Sequence, residues 1–298
     1  MKKIFYFAAL ALGVFAFSSC TDGKNNGENN GSDSAATEQV TEGDKIGPMG
    51  TFTIPEGSAL KDAENISYVL FPSSYASAME KGEDINGKTA IYYNRELAEA
   101  GETNSKLSGN DVRYPNNLLI PLYKDAKAKK GDIVLTWWQS GSGMERAIVT
   151  DDSDPATPKV HYLDLSYKGD GSGFAEKHDN EQLKPNSFIV LNDGEWQPGA
   201  PLAVKVDGKE NKGILVNAVG DKVLYLGFAG KLIEANKSDV KLLPIKPTVN
   251  VGDNVKAVFV GTFSKDAKVT KIDSKIGRVW VKEGDREAEA VNIFEVMK

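Results

Sequence analysis

The strongest constraint on the fold is a strand pattern that occurs three times in the second half of the chain. The segment "GDNVKAVFVGTFSKDAKVTKID" from Gly252 aligns without a gap with "GAPLAVKVDGKENKGILVNAV" from Gly199, so that Val269 falls on Val216. The segment "GDIVLTWWQSGSGMERAIVTDD" from Gly131 follows the same course with one extra residue. Repetition of this kind indicates one structural unit used three times.

Each copy continues with a third strand-like run and a closing apolar segment. The third runs are "KVHYLDL", "KVLYLGF" and "GRVWVKE", and the closing segments are "SFIVL", "DVKLLP" and "AVNIFEV". Short runs rich in Val, Ile, Trp and Tyr, separated by Gly, Asp, Asn and Pro, are typical of antiparallel strands. About five short strands in roughly 50 to 65 residues match the size of a small closed barrel, which leaves no exposed sheet edge.

The copies resemble SH3-like and Tudor-like barrels. The last copy carries the resemblance in "GDNVKAVF", "DAKVTKID", "GRVWV" and "EAVNIFEV", and the first copy in "GDIVLTWW", "ERAIV" and "KVHYLD". Tudor domains bind methylated side chains in an aromatic cage, but the loop after the third strand reads "EGDREAE" here and has no aromatic residue. The resemblance therefore implies the barrel fold and not the methyl-binding site.

The sequence predicts a mainly β chain, with three small SH3-like or Tudor-like barrels in series after an N-terminal region of mixed structure. Helix signals occur only in that region, where Asn94 could cap "RELAEA". The predicted segments are a signal peptide at 1–19, a disordered tether at 20–45, an α+β region at 46–126, and barrels at 127–195, 196–246 and 247–298.

The start of the chain predicts where the protein is located. Two lysines precede an apolar run of about 14 residues, which is shorter than the roughly 20 needed to span a membrane and is typical of a secretory signal peptide. The following "FSSC" resembles the lipobox of bacterial lipoproteins, which implies that Cys20 carries lipid, including palmitate. Several acyl chains on one residue anchor a protein durably. We expect a lipid-anchored protein of the bacterial cell envelope, with the outer membrane favoured over the inner where both exist.

The absence of a second cysteine and the charge balance exclude several other roles. Cys20 is the only cysteine, so an intramolecular disulfide and cysteine-based metal sites are excluded. The 36 basic and 42 acidic residues become 34 and 42 once Lys2 and Lys3 leave with the signal peptide, which gives −8. Such a chain is a poor candidate for nucleic acid. It is also repelled by anionic lipid headgroups, so the membrane partner is reached through the lipid on Cys20.

Alternation along the strands predicts which aromatic side chains leave the barrel interiors. In the last copy Val255, Ala257 and Phe259 share the inward face. The same register turns Trp137 and Trp280 outward. These two residues are the candidate ligand-binding residues, because rigid aromatics stack on glycans and grip peptides. The alternative is that they pack where one barrel meets its neighbour.

No catalytic residues, metal site or cofactor are predicted. His161 falls within the strand-like "KVHYLD" without an accompanying nucleophile, and "GSGMER" and "GDGSGF" lack the strand-to-helix context of a nucleophile elbow or phosphate loop. The acidic "DDSDP" offers Asp151, Asp152 and Asp154 as calcium ligands. Three acids are too few for calcium, so a turn rich in Asp is the better interpretation.

The predicted function is a non-enzymatic binding or scaffold module for an envelope protein, a peptide or a cell-wall glycan. One alternative is an envelope enzyme with its site in the N-terminal region, where the residues of reactive type are Ser73, Ser74, Tyr92, Tyr93 and Glu96. A second alternative is a purely structural spacer, which the lack of any cleft would favour.

Overall fold

The structure is a computed structural model and describes residues 45–46, 54, 60–81, 93–99, 104–107, 112–167, 179–246 and 249–298. The predicted signal peptide and Cys20 lie outside these residues, as does almost all of the predicted tether. No helix within the described ranges is long and apolar enough to cross a membrane. The described residues all belong to one compact unit.

The described part of the N-terminal region combines short strands with one helix. Its strands are β1 (Lys45–Ile46), β2 (Ile66–Pro72), β3 (Tyr93–Glu96), β4 (Ala98–Glu99), β5 (Asn104–Leu107), β6 (Val112–Pro115) and β7 (Ile120–Tyr123), and its helix is α1 (Tyr75–Glu80). One sheet has the order β3-β2-β7 and the other has the order β1-β6-β5-β4. The 3-10 turns Ala63–Asn65 and Asn116–Leu118 connect these strands.

Three five-stranded repeats follow, all antiparallel. The first has β8 (Ile133–Trp137), β9 (Met144–Asp151), β10 (Lys159–Tyr162), β11 (Asp179–Gln182) and β12 (Ile189–Val190). The second has β13 (Pro201–Val206), β14 (Lys209–Val219), β15 (Lys222–Leu226), β16 (Leu232–Asn236) and β17 (Val240–Leu242). The third has β18 (Asn254–Phe259), β19 (Thr262–Asp273), β20 (Arg278–Lys282), β21 (Glu289–Asn292) and β22 (Val296–Met297).

The strand order is the same in all three repeats. The fourth, third, second, first and fifth strands lie side by side in that order. A 3-10 turn precedes the fifth strand in two of them, at Lys237–Asp239 and Ile293–Glu295. The second and third repeats share one sheet through the pairing of Asn211 with Thr262. The prediction of a mainly β chain is confirmed. The confirmation extends only to antiparallel sheets, because no sheet closes into a barrel among the described strands.

A glycine opens each repeat at an equivalent position. Its amide donates to a carbonyl on the second strand at 2.8 Å in three pairs, Gly131 with Val149, Gly199 with Leu215 and Gly252 with Val269. The φ angles of these glycines are 87°, 91° and 97°, a conformation that a side chain would strain. The gapless sequence alignment is wrong by one residue in the second repeat, because it places Val216 where Leu215 lies. The reason is a bulge in the first hairpin of the third repeat: the β18–β19 register shifts between Ala257 and Val258, whereas the β13–β14 pairing has no shift.

Alternation along β8 separates two cores. Val134 lies in the interior of the first repeat, and Trp137 joins a larger core shared with the N-terminal region. The prediction that Trp137 faces out of the interior of its repeat is therefore correct. The second and third repeats have interior cores of their own, and a small cluster of Ala203, Leu243, Phe263 and Met297 lies between those two repeats.

Arg278 of the third repeat is inserted into the first repeat. Its guanidinium donates to the carbonyls of Tyr162 at 2.6 Å and Leu163 at 3.1 Å, and its Nε donates to Nε2 of His161 at 3.1 Å. Both Arg278 and His161 are 3% exposed. His161 lies in β10, as predicted, and supports the contact between the two repeats.

Candidate functional site

Backbone strain identifies one groove in the structure. Six non-glycine residues of the described chain have positive φ, namely Asp62, Asp125, Asn186, Asp207, Ala229 and Val260. Asp and Asn tolerate this conformation because their short polar side chains form local hydrogen bonds, whereas a β-branched residue there is a clear outlier. Ala229 and Val260 have no polar side chain to form such hydrogen bonds, and both line the same cavity. Strain of this kind concentrates at ligand-binding sites.

We call this cavity the junction groove, because it is formed where the second and third repeats meet, beside the first. Its volume is about 380 Å³. Its mostly apolar side consists of Ile214, residues 226–230, Val258, Val260 and Gly261, and its charged side consists of Asp164, Lys212 and Glu295.

The strained Val260 occupies a turn that has a direct equivalent in the second repeat. The turn between β18 and β19 is Val260-Gly261, with φ of 48° and 79°. The turn between β13 and β14 is Asp207-Gly208, with φ of 48° and 76°. A two-residue hairpin turn with both φ values positive strongly favours Asn-Gly or Asp-Gly. The third repeat therefore has valine where the backbone favours Asp or Asn.

Apolar side chains are exposed around this turn. Phe228 is 59% exposed, Phe259 is 59% exposed and Val260 is 62% exposed. Phe228 packs over the turn, since a Cβ added to Gly261 would lie 2.6 Å from the Cβ of Phe228. The prediction that Phe259 faces inward is wrong. A bulge interrupts the β18–β19 pairing after Ala257, and Phe259 lies at the hairpin end beyond the core.

The charged side of the junction groove joins all three repeats. Lys212 of β14 donates to Oε1 of Glu295 at 2.7 Å. Glu295 is held in place because its other oxygen accepts from the amide of Asn292 at 3.2 Å, within a capping box. Asp164 accepts from Nε of Arg146 at 2.8 Å and from Nη2 at 2.6 Å. The charges lining the groove are thus already paired within the protein.

Two half-buried carboxyl groups next to Arg146 differ in their ionisation. Burial alone would raise the pKa of Asp164, but the charge and hydrogen bonds of Arg146 outweigh burial and lower it to about 2. Burial, followed by the charge of Asp164, raises the pKa of Glu145 to about 9. Oε2 of Glu145 is buried without a hydrogen-bond partner in the described structure. Glu145 is therefore protonated at neutral pH, and it adds no charge near the groove.

The two predicted aromatic residues lie elsewhere. Trp137 is 1% exposed, its ring contacts Tyr68 edge-on at 5.2 Å, and the guanidinium of Arg95 lies 4.9 Å from its centroid. The ligand-binding interpretation of Trp137 is wrong, because the N-terminal region covers the ring. Trp280 is half-buried on β20, with Nζ of Lys271 at 4.1 Å from its ring centroid and the Tyr167 ring at 6.3 Å. Neither tryptophan lines the junction groove.

The residues of the enzyme alternative have structural contacts where they are described. The hydroxyl of Tyr93 donates to the carbonyl of Leu118 at 2.9 Å, and burial raises the Tyr93 pKa. Ser73 and Ser74 are half-buried, and the carbonyl of Ser74 accepts the Ala78 amide at the start of α1. Glu96 accepts the amide of its neighbour Leu97 at 3.0 Å. Tyr92 lies outside the described residues.

The acidic segment after β9 forms a turn. The carboxylate of Asp151 accepts the amide and hydroxyl of Ser153, and that of Asp154 accepts the amide of Ala156 at 3.0 Å. The turn interpretation of these acids is confirmed. Within the described ranges no group of three His, Cys, Asp or Glu side chains could hold a metal ion.

Comparison with known proteins adds no family to this description. The sequence matches no protein-family model, and no curated protein is significantly similar to it. The functional interpretation therefore depends on the junction groove. One sequence signal for that groove was missed, since the hairpin dipeptide "VG" in the third copy stands where the second copy has "DG".

Proposed function

We propose that the protein is a lipid-anchored binding protein of the bacterial cell envelope, built on three SH3-like barrels that hold a peptide segment of a partner protein in the junction groove. The observation that carries the proposal is the pair of strained residues, Ala229 and Val260, on one groove. An exposed valine in a left-handed turn lowers stability without an internal benefit, so a binding role accounts for it best.

The barrel fold is supported by the repeated strand order and by the 3-10 turn before the fifth strand. A five-stranded meander in which the last strand returns to the first is the topology expected of SH3-like domains. Each repeat also has its own interior core, which supports three barrels in series. The cleft between them argues against a structural spacer.

The chemistry of the junction groove favours a peptide over a glycan. A glycan needs free hydrogen-bond donors and acceptors for its hydroxyl groups. Lys212 and Glu295 bind each other, and Asp164 binds Arg146, so their hydrogen-bonding capacity is largely used inside the protein. The exposed Phe228 and Val260 offer apolar contact instead, and a volume of about 380 Å³ holds one or two large apolar side chains.

Site-specific photocrosslinking tests the groove. Benzoylphenylalanine at position 260 should form an adduct with a partner protein in intact cells. The control is the same group at Val251, which is 63% exposed and does not line the groove. An additional Phe228→Ser change should reduce the adduct from position 260. Equal yields from positions 260 and 251 would contradict the proposal.

The anchor has a separate test. We expect Cys20→Ala to release the protein from the membrane fraction or to trap its precursor, because the residue that receives lipid is gone. A Cys20→Ala protein that is still processed and membrane-bound would refute the lipoprotein part of the proposal alone.

A further inference from the structure

A second concave surface lies on the outer face of the third repeat, and lysines surround it. We call it the lysine trough. It has a volume of about 510 Å³ and is lined by Lys256, Lys268, Lys282 and Lys298, with Asp266 as its acidic residue. The strands β20, β19, β18 and β22 lie side by side beneath it.

Two of these lysines oppose each other, and neither forms an ion pair with a residue that the structure describes. Lys268 and Lys282 are directly paired across β19 and β20, and both are exposed. Like charges at directly opposite positions destabilise a sheet. The other two lysines have carboxylate partners, since Lys256 lies 2.6 Å from Asp266 and Lys298 lies 2.9 Å from Asp253. The pair Lys268 and Lys282 therefore leaves two positive charges available to an anionic ligand.

The trough restricts what kind of anion can enter. The strands β18, β19 and β20 each have a paired neighbour on both sides, so a peptide cannot join them as an additional strand. A bilayer surface is flat and cannot follow a concave trough.

We propose that the lysine trough binds a linear anionic polysaccharide, whose carboxylate, phosphate or sulfate groups lie between Lys268 and Lys282. Ammonium groups act as compact point charges for such groups, and the aliphatic lysine stems cover the sugar rings. This site is independent of the junction groove, so either proposal can fail without the other.

The test uses the full-length protein on immobilised dextran sulfate, with neutral dextran as reference. We expect binding to dextran sulfate alone and a loss of binding as salt is raised, because screening weakens contacts between exposed charges. The double variant Lys268→Gln/Lys282→Gln should bind about tenfold more weakly, which corresponds to about 1.4 kcal/mol. The charge-matched control Lys205→Gln/Lys209→Gln changes two exposed lysines of the second repeat and should bind as the wild type does.

Further measurements separate the trough from general charge effects. Lys268→Arg/Lys282→Arg should retain binding, and thermal unfolding of the Gln variant should occur at the wild-type temperature or above, because a repulsive pair is removed. Three results would overturn the proposal: equal loss in both Gln double variants, no binding to dextran sulfate, or stronger binding to polyglutamate or to phosphatidylglycerol vesicles.

Discussion

Replacing Val260 by asparagine should make the protein more stable, whereas most substitutions of a natural residue destabilise a protein. Val260 has φ of 48° in a turn that favours Asn or Asp. The left-handed conformation costs a residue other than Gly, Asn or Asp about 1–2 kcal/mol. Val260 is 62% exposed, so the buried part of its side chain contributes at most about 1 kcal/mol. The net expectation for Val260→Asn is a gain of about 0.5–1 kcal/mol.

The second repeat provides the reverse experiment. Asp207 has the same φ of 48° and is followed by Gly208, as Val260 is followed by Gly261. Asp207→Val should therefore lower the free energy of unfolding by about 1–2 kcal/mol, because the same strain is introduced at an exposed site. The two variants should change stability in opposite directions.

Scanning calorimetry of the two full-length variants measures the effect. A change of 1 kcal/mol shifts Tm by about 2–4 °C in a domain of this size class. We expect Tm to rise by about 2 °C for Val260→Asn and to fall by about 4 °C for Asp207→Val. A lower Tm for Val260→Asn would refute the reasoning, because it would mean that the valine stabilises the turn in the free protein.

Three further changes test other parts of the structure. Trp137→Ala should lower the free energy of unfolding in urea by about 3–5 kcal/mol, because the ring is fully buried; a loss below about 1 kcal/mol would contradict its described packing. Gly261→Ala should cost more than Gly208→Ala, since the new Cβ would lie 2.6 Å from Phe228 at the first position and meet nothing within 4 Å at the second; equal Tm losses would argue against the Phe228 contact. Glu145 has a raised pKa, so the folded protein keeps a proton that the unfolded chain releases, and stability should fall as pH rises from about 4.5 to about 9. Glu145→Gln should remove that slope, and an unchanged slope would show that another group is responsible.

The repeated pattern predicted more of the fold than of the site. Strand order depends on local signals that recur along the chain, such as the opening glycines and the alternation on β8. These signals are visible in the amino-acid sequence. The bulge between Ala257 and Val258 was not readable, because a bulge changes the register without a distinctive residue. For the same reason Phe259 was expected in a core that its strand has already passed.

The site was missed because it depends on contacts between distant parts of the chain. Trp137 does leave the interior of its repeat, but alternation cannot say what covers an outward ring, and here the N-terminal region does. Arg146 and Asp164 lie in one repeat while Lys212 and Glu295 come from the other two, so no local motif contains them. The valine in the hairpin turn is a local signal, but its meaning depends on the φ angle.

The affinity of the crosslinked partner for the Val260→Asn protein tests the central claim most directly. Once the peptide captured from position 260 is identified, its Kd can be measured by calorimetry against the wild type and the Asp207→Asn control, which changes the equivalent turn away from the groove. We predict at least about tenfold weaker binding to Val260→Asn, a loss of about 1.4 kcal/mol, in a protein that is more stable than the wild type. An unchanged Kd in that stabilised variant would contradict the claim that the strained valine serves binding.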